Sequence, residues 1–129
     1  MWEFLESSPV ILIMVANTLA APSHPPERSL VALVDTGYSG FLLLPPAIFN
    51  ALGFEDLRRD SSRARLANGS FVEMSSAYGT IRFRDLGAEV DGRVQTCEGA
   101  EEVLIGMDGL REFAITVDGC TKMCYAREC

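Results

Sequence analysis

A chain of 129 residues with 48% hydrophobic content can bury one core and is short for two, so a single domain over residues 1–129 is expected. Its formal charge of −7 comes from 18 acidic against 11 basic residues, with no basic run longer than Arg58-Arg59, which excludes the electrostatic footprint of a nucleic-acid binder. The apolar stretch at residues 9–21 is shorter than a bilayer-spanning helix, holds Asn17 and Thr18, and follows Glu3 and Glu6 instead of a basic leader segment; no membrane partner is expected, and the cytoplasm is the expected location.

In chain order, the short β-branched run at residues 10–15 predicts a buried strand. Residues 19–28, with Pro22, Ser23, His24, Pro25 and Pro26, predict a loop; the lone His24 there gives a Ser-His-Asp or Cys-His triad nothing to work with. A second strand at residues 29–34 ends directly at Asp35, and another apolar strand at 41–44 is stopped by Pro45-Pro46, which presets a helix start. The helix is expected over residues 47–52, with Gly53 beyond its end, where a positive φ costs glycine nothing. Residues 56–65 are polar and show no periodicity.

Three turn signals follow, Asn68-Gly69, Asp91-Gly92 and Asp118-Gly119, each flanked by strand-like residues and each predicting a hairpin. A second short helix is expected from Asp108 as N-cap, with Leu110 and Phe113 on its buried side. These elements make a mostly β meander with one or two short helices. Cys97, Cys120, Cys124 and Cys129 include no CxxC pair and no neighbouring histidine, so no metal site is expected and reduced thiols are. There is no phosphate-cradling glycine loop, and no cofactor is expected.

The chemistry gathers at Leu33-Val34-Asp35-Thr36-Gly37, where a carboxylate follows an apolar strand directly. Alone, Asp-Thr-Gly also suits an Asx-turn. A second signal, Val103-Leu104-Ile105-Gly106-Met107-Asp108, sets an apolar triplet before a glycine. In this order, over residues 10–118, the chain resembles the retropepsin-like, retroviral-type aspartic peptidases. The resemblance implies a closed acid-protease-like β-barrel with a flap hairpin, and an aspartic endopeptidase acting on a peptide or protein substrate. With one Asp-Thr-Gly and no second Asp-Ser/Thr-Gly, a two-lobed monomer is excluded by counting, and a homodimer with one catalytic Asp35 per subunit is implied.

The resemblance gives Thr36 the task of bracing the pair across a twofold axis. It gives Gly37 that of admitting backbone N–H groups to the carboxylates. Tyr38, Ser39, Ile105 and Gly106 are expected to line the substrate cleft. The hairpin at residues 65–71 is the expected flap, with Asn68, Gly69 and Ser70 at its tip, and Tyr78-Gly79-Thr80 is a rival placement. Tyr38 stands where viral enzymes carry a small residue, so its ring is expected to narrow the pocket beside Asp35. Met107 stands where they carry an interface arginine. A non-catalytic peptide-binding or dimerisation module on the same scaffold is the alternative reading. In that family the final strand lies in the dimer interface, which would put Cys120, Cys124 and Cys129 near a partner.

Overall fold

The computed structural model describes residues 1–17, 27–56, 60–65 and 68–129; the proline-rich loop with His24, and Leu66 and Ala67 of the expected flap, lie outside the described residues. The strands are Trp2–Glu3 (β1), Val10–Ala16 (β2), Glu27–Val34 (β3), Leu42–Leu43 (β4), Asp60–Arg65 (β5), Phe71–Phe83 (β6), Ala88–Thr96 (β7), Leu104–Ile105 (β8), Phe113–Asp118 (β9) and Met123–Glu128 (β10). Pro46–Ala51 is an α-helix (α1), and Phe54–Asp56 and Arg84–Leu86 are 3-10 turns.

A run that is apolar at every position, without alternation, must be covered on both faces. β2 meets that requirement, since every residue in it is buried except Leu12. It pairs antiparallel with β3 along its whole length, and its last three residues also pair with β6. That second pairing closes a barrel in the order β2-β3-β8-β4-β7-β6 and back to β2, with β5 attached to the outer half of the 13-residue β6. Closure leaves no open edge around the ring, which is how an all-β core avoids edge-to-edge association.

The ring is tightest where two apolar strands of two residues each, β4 and β8, lie side by side. Val34 pairs with Ile105, Ile105 with Leu42, and Leu42 with Val94, crossing four strands. Ile105, Leu42 and Val94 are fully buried, so the rungs that support Asp35 are dry. A separate sheet, β1-β10-β9, packs Trp2, Phe113 and Cys124 onto the same core; Phe113 meets Phe83 at a centroid distance of 4.5 Å. Such an aromatic pair adds about 0.5–1.5 kcal/mol beyond its buried area.

α1 starts and ends one residue earlier than expected, with Pro46 in its first turn and Leu52 as its C-cap, and Gly53 follows its end at φ 78° as expected. Its one buried residue, Phe49, lies against Phe54 at 5.3 Å. Asn17, polar inside an apolar stretch, is buried because its side-chain amide donates to the Leu52 carbonyl at 2.9 Å, satisfying a helix-end acceptor.

Four expectations need correction or completion. Asp91-Gly92 is no turn: both residues lie inside β7, opposite Thr80 and Gly79, and the hairpin bends instead at the 3-10 turn ending in Gly87, φ 63°. Position 92 is a glycine because the Phe41 ring presses on it where a Cβ would stand. No helix begins at Asp108; residues 107–112 form turns, because Phe113 already pairs with Glu128 in β9 and Gly109 packs against the Phe41 carbonyl and Ile105. Leu110 and Phe113 are buried nonetheless.

The polar segment without periodicity contains β5, held by its pairing with β6. β10, the strand that completes the hairpin after Asp118-Gly119, is paired with β9 along its whole length and with β1 only at Met123 and Cys124. The Asp118-Gly119 signal does mark a turn, residues 119–122, in which Asp118 Oδ1 accepts the N–H groups of Cys120 and Thr121; those bonds, Thr121's first, hold its carboxyl below the usual range.

Placing Gly92 in mid-strand under Phe41 predicts that Gly92→Ala lowers unfolding stability by about 1–3 kcal/mol in urea denaturation. A true Asp-Gly turn, with its glycine at positive φ, would accept Gly92→Asn better than Gly92→Ala, whereas beneath Phe41 the larger Asn should cost more than Ala.

Candidate active site

Asp35 is held by its backbone before its side chain does anything. The β3–β8 ladder runs through Leu33 N–H to the Val103 carbonyl (2.8 Å) and ends at Asp35 N–H to the Ile105 carbonyl (3.0 Å). On the other side of β3, Val34 N–H reaches the Pro9 carbonyl at 2.9 Å. The chain then turns, with Tyr38 N–H on the Asp35 carbonyl at 3.2 Å and Gly37 N–H on Asp35 Oδ1 at 3.0 Å. This is the Asx-turn that an ordinary Asp-Thr-Gly would make, and it also orients the carboxylate. Thr36 and Gly37 are exposed and Asp35 is half-buried, so the turn faces outward.

A second segment crosses directly beneath this loop. Gly106 N–H bonds the Phe41 carbonyl (3.2 Å), Met107 N–H the Tyr38 carbonyl (2.9 Å) and Asp108 N–H the Gly40 carbonyl (3.1 Å). Gly106 is buried, and a Cβ on it would stand 2.5 Å from the Tyr38 carbonyl oxygen and nearer still to that of Gly40. Only glycine lets two backbones approach this closely. Gly106 thus passes directly under the Asp35 loop.

Tyr38 does not stand free beside Asp35. Its ring lies against Gly40 and Gly106, and its hydroxyl donates to Gln95 Oε1 on β7. Burial, with Cys97 and Asp108 nearby, pushes the phenol above its ordinary range, so it remains a donor at any working pH. Beyond it opens a groove of about 480 Å³ whose walls include Ser39, Tyr78, Asp91, Gln95 and Arg111. Arg111 is fixed there by Asp108 Oδ2 (3.3 Å), the Asp91 carbonyl (2.9 Å) and the face of Phe41.

The structure therefore gathers Asp35, Thr36, Gly37, Tyr38, Ser39, Ile105 and Gly106 around one loop crossing. Asn68, Gly69 and Ser70 are elsewhere, exposed on the connection between β5 and β6, where Asn68 Oδ1 accepts the N–H (3.0 Å) and hydroxyl (2.6 Å) of Ser70 and Gly69 takes φ 88°. Tyr78-Gly79-Thr80 lies in mid-β6, paired with Arg93, Gly92 and Asp91, and cannot be a hairpin tip. Gln95, Asp91 and Arg111 carry no signal of a site in the sequence; in a strand or a turn they read as ordinary polar residues. Among the described residues no cluster of histidine, cysteine and acid side chains could hold a metal, and no helix is long and apolar enough to cross a membrane. All four cysteines are free thiols, Cys124 buried and Cys120 and Cys129 exposed.

Comparison with solved structures defines the class. EIAV protease in complex with the inhibitor HBY-793 superposes with a TM-score of 0.59 at 22% identity, covering 86% of this chain and 92% of that one. A retropepsin-like aspartic protease from Rickettsia conorii gives a TM-score of 0.51 at 19% identity over 98% of each chain. The fold is retropepsin-like. No protein-family model matches the chain. An uncharacterized protein of Archaeoglobus fulgidus is 31% identical over 126 residues, 98% of either protein, and the chain belongs to one family with it.

The crossing at Gly106 is closed by backbone carbonyls, which cannot rotate away as a ring can. Gly106→Ala is therefore expected to cost more than Gly92→Ala, about 3 kcal/mol. Side-by-side denaturation curves check this, and equal losses would show that the two segments are not in such close contact.

Proposed function

We propose that the chain is one single-domain subunit of a homodimeric aspartic endopeptidase, in which the Asp35 carboxylates of two copies face each other across a twofold axis. The observation that carries this reading is the placement of Asp35: at the end of a barrel strand, in an exposed turn, oriented by Gly37 N–H and seated on the Gly106 crossing of a retropepsin-like fold. One chain supplies one such carboxylate, so the site is complete only with a second copy.

Two carboxylates within hydrogen-bond reach cannot both ionise cheaply, so the pair keeps one proton and titrates as a unit; the paired aspartates of aspartic proteases are a known instance of this effect. The ionised member takes a proton from a bound water, and the protonated member gives its own to the scissile carbonyl oxygen as water attacks the carbonyl carbon. Thr36, exposed beside Asp35, braces the partner's loop. The β5–β6 hairpin, with Asn68, Gly69 and Ser70 at its tip, closes over an extended peptide as the flap and excludes water. Ser39, exposed beside the turn, contributes to the cleft wall, whereas Ile105 and Gly106, expected there too, are buried beneath the loop and support Asp35 from below without reaching a substrate.

β10 bears on how the two copies meet. β1 covers only Met123 and Cys124 on one side of β10, so the edge of β10 at residues 125–128 is left, together with the outer edges of β1 and β9, to add to a partner's sheet. A peptide-binding module without turnover has its main support in Tyr38, but the ring is turned onto two glycines and tied to Gln95, which favours the catalytic reading.

Asp35→Asn is expected to lower cleavage of a peptide library by roughly 10³-fold or more while leaving the dimer intact in sedimentation. The wild-type rate should be highest at acidic pH and fall as pH rises and the shared proton is lost. Undiminished cleavage by the purified Asp35→Asn protein overturns the assignment.

A further inference from the structure

β2 is apolar at every position and needs cover on both faces; Leu12 is where that cover is missing. Leu12 is 50% exposed, and Val31, its partner across the ladder, 43%. Met1 (70%) and Leu5 (56%) stand open with them, lining one groove of about 430 Å³. Four of the nine large apolar side chains exposed among the described residues thus meet in one place. Scattered singly, such residues are ordinary surface; gathered, they mark a binding surface. Leu12 also lines an adjoining groove of about 260 Å³, whose charges, Arg84 and Asp85, cancel.

Trp2, in the wall of the larger groove, carries an independent sign of a missing partner. The residue is 6% exposed, and its buried indole Nε1–H meets no acceptor among the described residues. Buried donors are nearly always paired, and one that is not calls for a group from outside. Charge says what kind of molecule brings it. Glu3 is the charged side chain in the lining, and Glu6, also exposed, follows on the same segment.

We propose that this groove docks an extended apolar segment of another protein, with a lysine or arginine beside its apolar side chains. An extended segment presents free backbone carbonyls, one of which the indole N–H takes; a helix spends its carbonyls internally and a hydrocarbon tail has none. A second copy would set Glu3 and Glu6 of a chain with net charge −7 against the same acids, and an anionic lipid surface would meet them as well. Contact with the apolar side chains supplies affinity, and the acids select the partner. None of the residues around the Asp35 crossing lines the groove, so the inference stands apart from the peptidase reading.

Trp2 is the single tryptophan of the chain, so its indole N–H resonance and its fluorescence report on the groove directly. The probes are an array of synthetic heptapeptides with Val, Ile, Leu or Phe at alternate positions, Thr between them, and Lys or Glu at both ends. The full chain is used with Asp35→Asn, which prevents cleavage. Lys-ended peptides should bind saturably, move the indole resonance downfield, and bind about three-fold or more tighter than their Glu-ended counterparts. Leu12→Asp, at an exposed position, should weaken them about ten-fold or more, and Glu3→Lys should remove or reverse the charge preference.

No binding by any peptide, equal binding of both end types, or binding untouched by Leu12→Asp overturns the proposal. An indole resonance that shifts with protein concentration alone, and no longer does so in Leu12→Asp, assigns the face to a second copy and overturns it too. Binding to phosphatidylglycerol vesicles without peptide binding, abolished by Leu12→Asp, does the same in favour of lipid.

Discussion

The stack of backbone hydrogen bonds between residues 33–41 and residues 103–108 is the constraint on which the rest of the structure depends. It begins as a parallel ladder between β3 and β8, continues through Asp35 N–H on the Ile105 carbonyl, and ends with three N–H groups beneath the loop that carries Tyr38 and Gly40. None of these bonds is worth much singly, about 1 kcal/mol net. Their geometry matters more, because one end of the Asp35 turn is tied to the two-residue strand β8 and the other to the three residues that follow it. That strand is sealed on its flanks by Val34 and Leu42, in a ring closed by β2 and β6. A carboxylate on so rigid a base has little freedom, as a group that must meet an identical partner at hydrogen-bond distance requires.

The features that hold this crossing together also explain its composition. Gly106 is required because two backbones meet there, and Gly40 and Gly106 together make room for the Tyr38 ring. The ring links the loop to β7 through Gln95, and Arg111 links the following turn to the same strand through the Asp91 carbonyl. Segments far apart in sequence are thereby fixed to one another around Asp35, and the packed side of the loop is polar only where each polar group has a partner.

Much of this was legible in the residues. The unalternating run of β2, the acid straight after β3, the Pro-Pro entry to α1, Gly53 at its exit and the apolar triplet before Gly106 are local signals with one structural answer each. What was not legible depends on tertiary context. Asp91-Gly92 has the chemistry of a turn, but the glycine answers to Phe41, which approaches from another strand. Asp108 is a good N-cap by composition, yet β9 begins at Phe113, paired with Glu128, too soon for a helix to form. β5 lacks strand-like patterning and owes its conformation to the β6 residues it pairs with. Gln95 became visible only through the hydroxyl that meets it.

Subunit mixing tests the central claim, a site built from two Asp35 residues, most directly. Wild-type and Asp35→Asn subunits are combined in varied ratio under conditions that allow exchange, and total cleavage is measured at constant protein concentration. A shared pair predicts activity proportional to the square of the wild-type fraction, because only dimers with both carboxylates turn over. A linear dependence on that fraction, with exchange verified, would mean that each chain works alone and would contradict the account.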